Sequence, residues 1–357
     1  MAHITLHTSR LEHNYRFLSG LFSRHAIEWA MVVKMLCGHT EFLKEVLSLG
    51  PNDVCDSRLS NLKKIKKIDP SRQTVYIKPP AKRLAKSIVS FADVSFNTEI
   101  ETLKLLSLEA GRQNKVHKVI LMLELGELRE GIMGAEFMDF FQNVRNLKHI
   151  SIIGIGANLN CFNGILPDQD KMRQLMAYRE AIRKQFAVDL PYISGGSSVT
   201  IPLLFTGAMP PAINHFRVGE TLFFGTDVYH QTMLEGMVSD VFVLTGEIIE
   251  LNEKPMVPTG TAGVNLVGDT VEYDQSLKGR TSTRAILDIG LLDIDFAAIR
   301  PREKGIEILG GSSDMLILDL GDNGKEWKVG DTMEFSLNYL STLRAMNSEY
   351  IDKKIQR

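Results

Sequence analysis

A lysine closes the apolar run Trp29-Ala30-Met31-Val32-Val33-Lys34, just ahead of Met35-Leu36-Cys37-Gly38-His39. Apolar neighbours disfavour the charged form of an amine, and an uncharged lysine is a nucleophile that condenses with carbonyl groups. A lysine at a strand end can also simply reach solvent along its aliphatic stem, so its chemistry depends on what faces it. Far along the chain lies Ser194-Gly195-Gly196-Ser197-Ser198. Adjacent glycines let the backbone approach an anion closely, and Ser197 or Ser198 offers a hydroxyl together with an N–H from the start of a following short helix. A third segment, Phe216-Arg217-Val218-Gly219-Glu220, sets a permanent cation beside another glycine.

These groups can meet only if the fold brings distant strand ends together. Apolar, β-branched runs occur at 31–33, 54–55, 74–77, 94–96, 119–125, 150–155, 191–193 and 213–218, which predicts eight strands. Between them, 41–49, 58–68, 81–91, 98–110, 135–147 and 170–186 have helical periodicity. Alternation of this kind implies right-handed parallel crossovers, and eight of them in roughly 200 residues fit a closed (β/α)8 TIM barrel better than an open sheet. After about Met237 the rhythm changes. The runs 240–250, 282–289, 305–309, 315–320 and 332–339 read as strands joined by Gly-, Pro- and Asp-containing turns. The expected class is therefore α/β, with a barrel over residues 1–236 followed by a mainly β C-terminal domain over 237–357.

Composition narrows the partners. The 357 residues are 44% hydrophobic and 24% charged with a formal net charge of -2, which suits a globular protein and gives no electrostatic reason to expect nucleic acid or an anionic membrane. The basic run Lys63-Lys64-Ile65-Lys66-Lys67 reads as a solvated helix face. Three scattered cysteines, Cys37, Cys55 and Cys161, suit a reducing compartment rather than a disulfide framework or a zinc site. The early histidines lack ligand spacing, so no metal is expected. Gly154-Ile155-Gly156 lacks the third glycine of a dinucleotide fingerprint and reads as a strand needing close packing. With no signal peptide and no membrane-length apolar stretch, the expected location is the cytoplasm.

Barrel chemistry gathers where strands run into their following loops. Lys34, Asp56, Lys78, Asn97, Arg129, Asn158, the Ser194–Ser198 segment and Arg217 all fall there in the predicted scheme. The loops after the last two strands are also where barrels most often hold a phosphate. A lysine facing a phosphate site suggests a phosphorylated carbonyl compound, and pyridoxal 5'-phosphate has both handles.

On these motifs, together with Glu124 to Gly131, Gly156-Ala157-Asn158-Leu159, Gly311 to Asp314 and Leu337-Asn338-Tyr339, the chain resembles the alanine racemase family of barrel-type pyridoxal-phosphate enzymes, and within it the alanine/ornithine racemase subgroup. The resemblance implies that Lys34 holds the cofactor as an aldimine and serves as one of two catalytic bases. It implies a phosphate held by Ser197 or Ser198, the backbone of Gly219 and Glu220, and the Tyr339 hydroxyl. Arg217 matches the family arginine facing the pyridine nitrogen, Arg129 the one that orients cofactor oxygen and substrate carboxylate, and Asn158 stands where alanine racemases carry a histidine. A cation at 217 weakens the ring as an electron sink and favours racemisation over decarboxylation.

Two departures follow. Cys37-Gly38-His39 replaces a tyrosine of the phosphate grip, and the region 285–290 lacks the tyrosine that the partner subunit delivers as second base. Asp314, beside Ser313 on a loop that relatives bring across the dimer interface, is the preferred replacement, and Asp288 the next. A homodimer with shared active sites is expected. The substrate is alanine or a basic amino acid such as ornithine, whose side-chain amine would meet Glu127, Glu130, Asp288 or Asp293. The alternatives are a decarboxylase of the same fold type and a non-catalytic pyridoxal-phosphate-binding protein.

Overall fold

The computed structural model describes residues 2–265, 268, 270–322 and 324–357. The chain divides into a unit spanning Ser9–Ser239 and a unit that joins the residues up to Thr8 with Asp240–Arg357. Strand β1 (His3–His7) therefore belongs with the C-terminal half, which the sequence boundary near Gly236 does not anticipate. It lies antiparallel to 242–245 and parallel to 352–356, a long-range pairing that local pattern cannot reveal.

The first unit begins with most of helix α1 (Thr8–Arg24), whose buried Leu11, Leu18, Leu21 and Phe22 recur at helical spacing. The parallel strands follow as β2 (Glu28–Val32), β3 (Asp53–Asp56), β4 (Gln73–Tyr76), β5 (Val94–Asn97), β6 (His117–Met122), β7 (Ile150–Gly156), β8 (Tyr192–Ser194), β9 (Gly196–Ser197) and β10 (His215–Val218). They alternate with helices α2 (Thr40–Ser48), α3 (Leu59–Ile68), α4 (Ala85–Phe91), α5 (Ile100–Arg112), α6 (Gly134–Val144), α7 (Gln169–Phe186), the short α8 (Pro202–Phe205) and α9 (Glu220–Phe224). The sheet runs β8-β7-β6-β5-β4-β3-β2-β10-β9. Strands β8 and β9 are one path broken at Gly195, with β8 paired to β7 and β9 to β10, so eight strand positions come round as a (β/α)8 barrel. A hairpin of β11 (Thr226–Asp227) and β12 (Thr232–Met233) ends the unit.

Side chains alternate across each strand, so one residue in two points into the barrel. Ala30, Val32, Cys55, Val75, Val94, Phe96, Ile120 and Met122 form that buried interior cluster. The opposite face of β2 and β10 turns Trp29 and Phe216 toward Phe22 of α1, with ring centroids 5.5 and 5.1 Å from it. Gly154 and Gly156 do mark close packing: a Cβ on Gly154 would sit 2.6 Å from Tyr192 O, and one on Gly156 2.9 Å from Ser194 O.

The main path of the second unit's sheet is antiparallel: β13 (Phe242–Pro255), β14 (Thr281–Leu287), β15 (Ile299–Pro301), β16 (Glu307–Gly311), β17 (Leu316–Asp319) and β18 (Thr332–Leu337), in the order β15-β18-β13-β14-β17-β16. Helix α10 (Tyr339–Asn347) and strand β19 (Asp352–Gln356) complete it. The expected strand 332–339 stops at Leu337, because Asn338 caps a helix: its side chain accepts from the Ser341 N–H at 3.0 Å. Tyr339 is the first helical residue, not a strand end.

Candidate active site

Lys34 follows β2 at its carboxyl end and opens a single 3-10 turn, Lys34–Leu36. It is half-buried rather than enclosed, since its flanking Val33 and Met35 carry the burial. The chain then turns through Cys37 in a left-handed conformation and Gly38, whose carbonyl accepts from Lys64 Nζ at 2.8 Å. His39 caps α2 by accepting from the Phe42 N–H.

Two carboxyl groups feel the Lys34 charge. Asp56, at the end of β3, is fully buried and accepts from the Arg58 N–H at 2.7 Å and from Asn61 Nδ2 at 3.0 Å. Burial pushes its carboxyl up to about 6, against the pull of those hydrogen bonds and of Lys34. Glu220, at the start of α9, is likewise raised by burial and drawn down by Lys34.

Gly219 lies directly against the lysine-bearing strand. A Cβ there would meet Val32 O at 2.9 Å, so only glycine lets β2 and the start of α9 approach this closely. Ser198 joins the same neighbourhood by accepting from the Thr221 N–H at 3.2 Å, whereas Ser197 closes a capping box with Thr200 and so spends its N–H and hydroxyl locally. Of the two serines, Ser198 is thus the one turned toward Gly219 and Glu220. Asn14 of α1 pins this helix from behind, donating to Leu222 O at 3.0 Å.

Arg217, on β10 beside β2, is buried among carbonyls. Its Nη1 donates to Ser194 O at 2.7 Å and Ser194 Oγ at 2.5 Å, its Nη2 donates to Ala157 O at 2.8 Å, and its guanidinium lies 5.2 Å from the Phe96 ring centroid. Among the described residues it has no carboxylate within ion-pair distance; its partners are carbonyl and hydroxyl oxygens. Three hydrogen bonds engage a group with five N–H donors, leaving at least two. The next residue after its Ala157 acceptor is Asn158, whose buried Nδ2 has no protein partner.

Arg129 is exposed on the loop after β6 and pairs with its neighbour Glu130, Nη2 donating to Oε1 at 2.6 Å. Glu127, offered by sequence as a partner for a basic substrate, is committed elsewhere. It is buried and accepts the backbone N–H groups of Phe162, Asn163 and Ile165, which locks the loop after β6 to the loop after β7. Burial alone would raise its carboxyl, but these backbone donors outweigh burial and hold it low.

The remaining candidates lie in the second unit. Ser313 and Asp314 are exposed in the turn between β16 and β17, where Asp314 Oδ1 accepts from Ser312 Oγ at 2.8 Å and Ser313 Oγ at 3.4 Å. Asp288 is a fastener, with one carboxylate oxygen accepting the Glu247 N–H at 2.9 Å and the other the Ala2 N–H at 3.1 Å. Asp293 is buried and accepts from Ser348 Oγ at 2.6 Å and the Gly290 N–H at 3.3 Å. Tyr339 is half-buried at the head of α10.

Lys34, Asn158, Ser197, Ser198, Arg217, Gly219 and Glu220 thus gather on strand ends and loops of one unit, with Arg129 on a neighbouring loop. Sequence reasoning missed the Asp56–Asn61 pair, the Ser194–His215 pair behind Arg217 and the structural role of Glu127. The i to i+2 spacing of His215 and Arg217 was the available signal for the second of these. Among the described residues no helix is long and apolar enough to cross a membrane, and no three His, Cys, Asp or Glu side chains cluster as metal ligands.

Known proteins match this arrangement. The family described as alanine racemase, N-terminal domain, matches residues 6–227. The chain is 38% identical over 355 residues to the ornithine racemase of Acetoanaerobium sticklandii, covering 99% of each chain. It is 29% identical to the lysine racemase of Thermotoga maritima, covering 98% of this chain and 97% of that one. Among solved structures, the alanine racemase of Bartonella henselae, described with covalently bound pyridoxal phosphate, superimposes with a TM-score of 0.75 over 99% of each chain at 14% identity, a likeness of fold. With the barrel, the lysine-bearing strand end and the buried arginine in place, the chain belongs to the alanine racemase family.

Proposed function

We propose that this chain is a pyridoxal 5'-phosphate-dependent racemase acting on a basic amino acid, with ornithine the first substrate to try. The substrate class rests on the ornithine and lysine racemases it resembles along nearly its whole length. The observation that carries the site is the pairing of β2 with β10: Arg217 lies in register with Ala30, so Lys34 and Arg217 stand at the ends of adjacent strands. The groups present suit the cofactor. Arg217 keeps at least two N–H donors and Asn158 an unpartnered buried Nδ2, which match the acceptor atoms of a substituted pyridine. Ser198 with the backbone at Gly219 and Glu220 would hold the phosphate, and Lys34 the carbonyl carbon.

When bound, pyridoxal 5'-phosphate draws electrons from the substrate α-carbon and so acidifies its proton. The Lys34 amine takes or returns that proton on one face. Asp314 of a second copy of the chain serves the opposite face, which makes the active unit a dimer. Arg129 orients the substrate carboxylate. Glu127, Asp288 and Asp293 are engaged within the protein, and Glu130, paired with Arg129 on an exposed loop, would meet a basic side chain by sharing or exchanging that partner. The thiols of Cys37, Cys55 and Cys161 suit a reducing compartment, which we take to be the cytoplasm.

The test is a purified sample supplied with cofactor and examined for an absorption band near ~420 nm that borohydride abolishes. Chiral analysis of a panel of amino acids follows. A band with racemisation of ornithine or lysine ahead of alanine is expected, and a protein that stays colourless overturns the reading.

A further inference from the structure

A polar row made of Arg217, Ser194, His215, Tyr192 and Glu28 leads from the buried barrel interior to an exposed end at Glu28. Ser194 Oγ lies 2.5 Å from Arg217 Nη1 and 2.6 Å from His215 Nδ1. The His215 and Tyr192 ring centroids are 5.2 Å apart, and Tyr192 Oη donates to Glu28 Oε2 at 2.9 Å. Ser194 is 0% and His215 3% exposed, so both are shut off from bulk water. The row exists because its neighbour β7 presents Gly154 and Gly156 there, leaving room for Tyr192 and Ser194.

Hydrogen bookkeeping fixes the direction of donation. A guanidinium only donates, so Ser194 Oγ accepts from Arg217. The serine has one hydrogen, and the acceptor in reach is His215 Nδ1, which accepts only from a neutral ring carrying its hydrogen on Nε2. The opposite tautomer would point two donors at one oxygen and strand the buried hydroxyl hydrogen. Burial and the adjacent Arg217 charge hold the His215 imidazole neutral, pushed down to about 3. The charged or titratable groups around it are Arg217 on its own strand, Tyr192 on β8, and, beyond Tyr192, Glu28 on β2 and Asp53 on β3.

We propose that Ser194 and His215 are positioning residues that fix the guanidinium of Arg217 where it meets the ring nitrogen of the bound cofactor, His215 acting as a permanently neutral acceptor at the end of the relay. The inference rests on the cofactor reading above. Removing the His215 acceptor frees the serine hydroxyl to rotate and so loosens, without removing, one of the three Arg217 anchors, while the backbone acceptors Ser194 O and Ala157 O keep it in place. The expected effect is therefore graded, not a loss of fold.

The test has two arms. In the cofactor-free protein, long-range 1H–15N spectra of labelled histidine should show His215 as the Nε2–H tautomer, without titration from about pH 8 to about pH 5, and Ser194→Ala should disturb that signal. In the cofactor-loaded protein, the pH at which the cofactor band changes should move by about one unit in His215→Leu and return in His215→Asn, which restores an acceptor. Racemisation should follow with kcat changing more than KM. An Nδ1–H or titrating His215, or a His215→Leu profile identical to that of the parent, overturns the relay. A parent protein that never acquires the band overturns the cofactor reading instead, and the histidine spectrum still judges the relay.

Discussion

Asn163 and Glu127 are joined twice: the Asn163 N–H donates to Glu127 Oε1 at 3.0 Å, and Asn163 Nδ2 donates to the Glu127 carbonyl at 2.7 Å. The Phe162 and Ile165 N–H groups converge on the same carboxylate. One buried charge thus organises the loop that follows Asn158. In Glu127→Gln the amide presents one acceptor where two oxygens served, and the lost charge-assisted bonds weaken the loop by about 2 kcal/mol. Hydrogen exchange at Phe162, Asn163 and Ile165 should accelerate while the strands of the barrel stay protected. The carboxylate is held low, so its contribution is complete above the ordinary glutamate range and fades as pH falls through the lowered value. Acid should therefore loosen this loop in the parent protein.

Lys34→Ala should abolish both the borohydride-sensitive band and racemisation, by at least about a thousandfold for the loss of a covalent anchor that is also a base. Added methylamine should recover part of the rate. Far-ultraviolet circular dichroism should not change, because Lys34 is only half-buried in its turn.

Asp314→Asn should lower racemisation in both directions by about a hundredfold or more if it supplies the second base. Exchange of the α-proton with solvent from the enantiomer served by Lys34 should persist. Asymmetric loss of this kind separates a base from a turn residue, since Asn retains an acceptor for Ser312. Equal activity in the variant assigns Asp314 to the turn alone.

Asp56 is buried with its carboxyl raised to about 6, so the folded protein holds that proton where the unfolded chain has released it. Stability of the barrel unit should therefore fall as pH rises from about 4 to about 6, by up to about 3 kcal/mol from this group. Asp56→Asn should flatten that part of the profile, as read by thermal unfolding across the window. His117, held at about 4 chiefly by burial, acts in the opposite sense: stability is lost as pH falls below about 6.5.

Gly219→Ala should cost about 1–3 kcal/mol, because the added methyl meets the Val32 carbonyl, a backbone atom that cannot swing aside. The same change displaces the start of α9 from the end of β2. Cofactor affinity, read by equilibrium dialysis, should fall more than fold stability does.

The barrel was legible because burial on both faces of parallel strands leaves apolar runs, and helices between them leave a 3.6-residue period. The strand-end positions of Lys34 and Arg217 followed directly from that scheme. What escaped has a common physical origin. Glu127, Asp288 and Asp293 look alike as acids in the sequence, yet their fates are decided by distant partners: the Asn163 N–H 36 residues on for Glu127, the Glu247 and Ala2 N–H groups for Asp288, and the Ser348 hydroxyl 55 residues on for Asp293. The helix beginning at Tyr339 was hidden for a different reason: β18 runs into it without a break in hydrophobicity, and the only cue is Asn338 with Ser341 three residues on.

Strand β1 lies between Phe242–Thr245 on one side and Asp352–Gln356 on the other. Strand β1 therefore waits for partners made roughly 240 to 350 residues later. Ser9–Ser239 is continuous and can mature while synthesis proceeds, whereas the β unit is sewn shut only when residues 352–356 arrive.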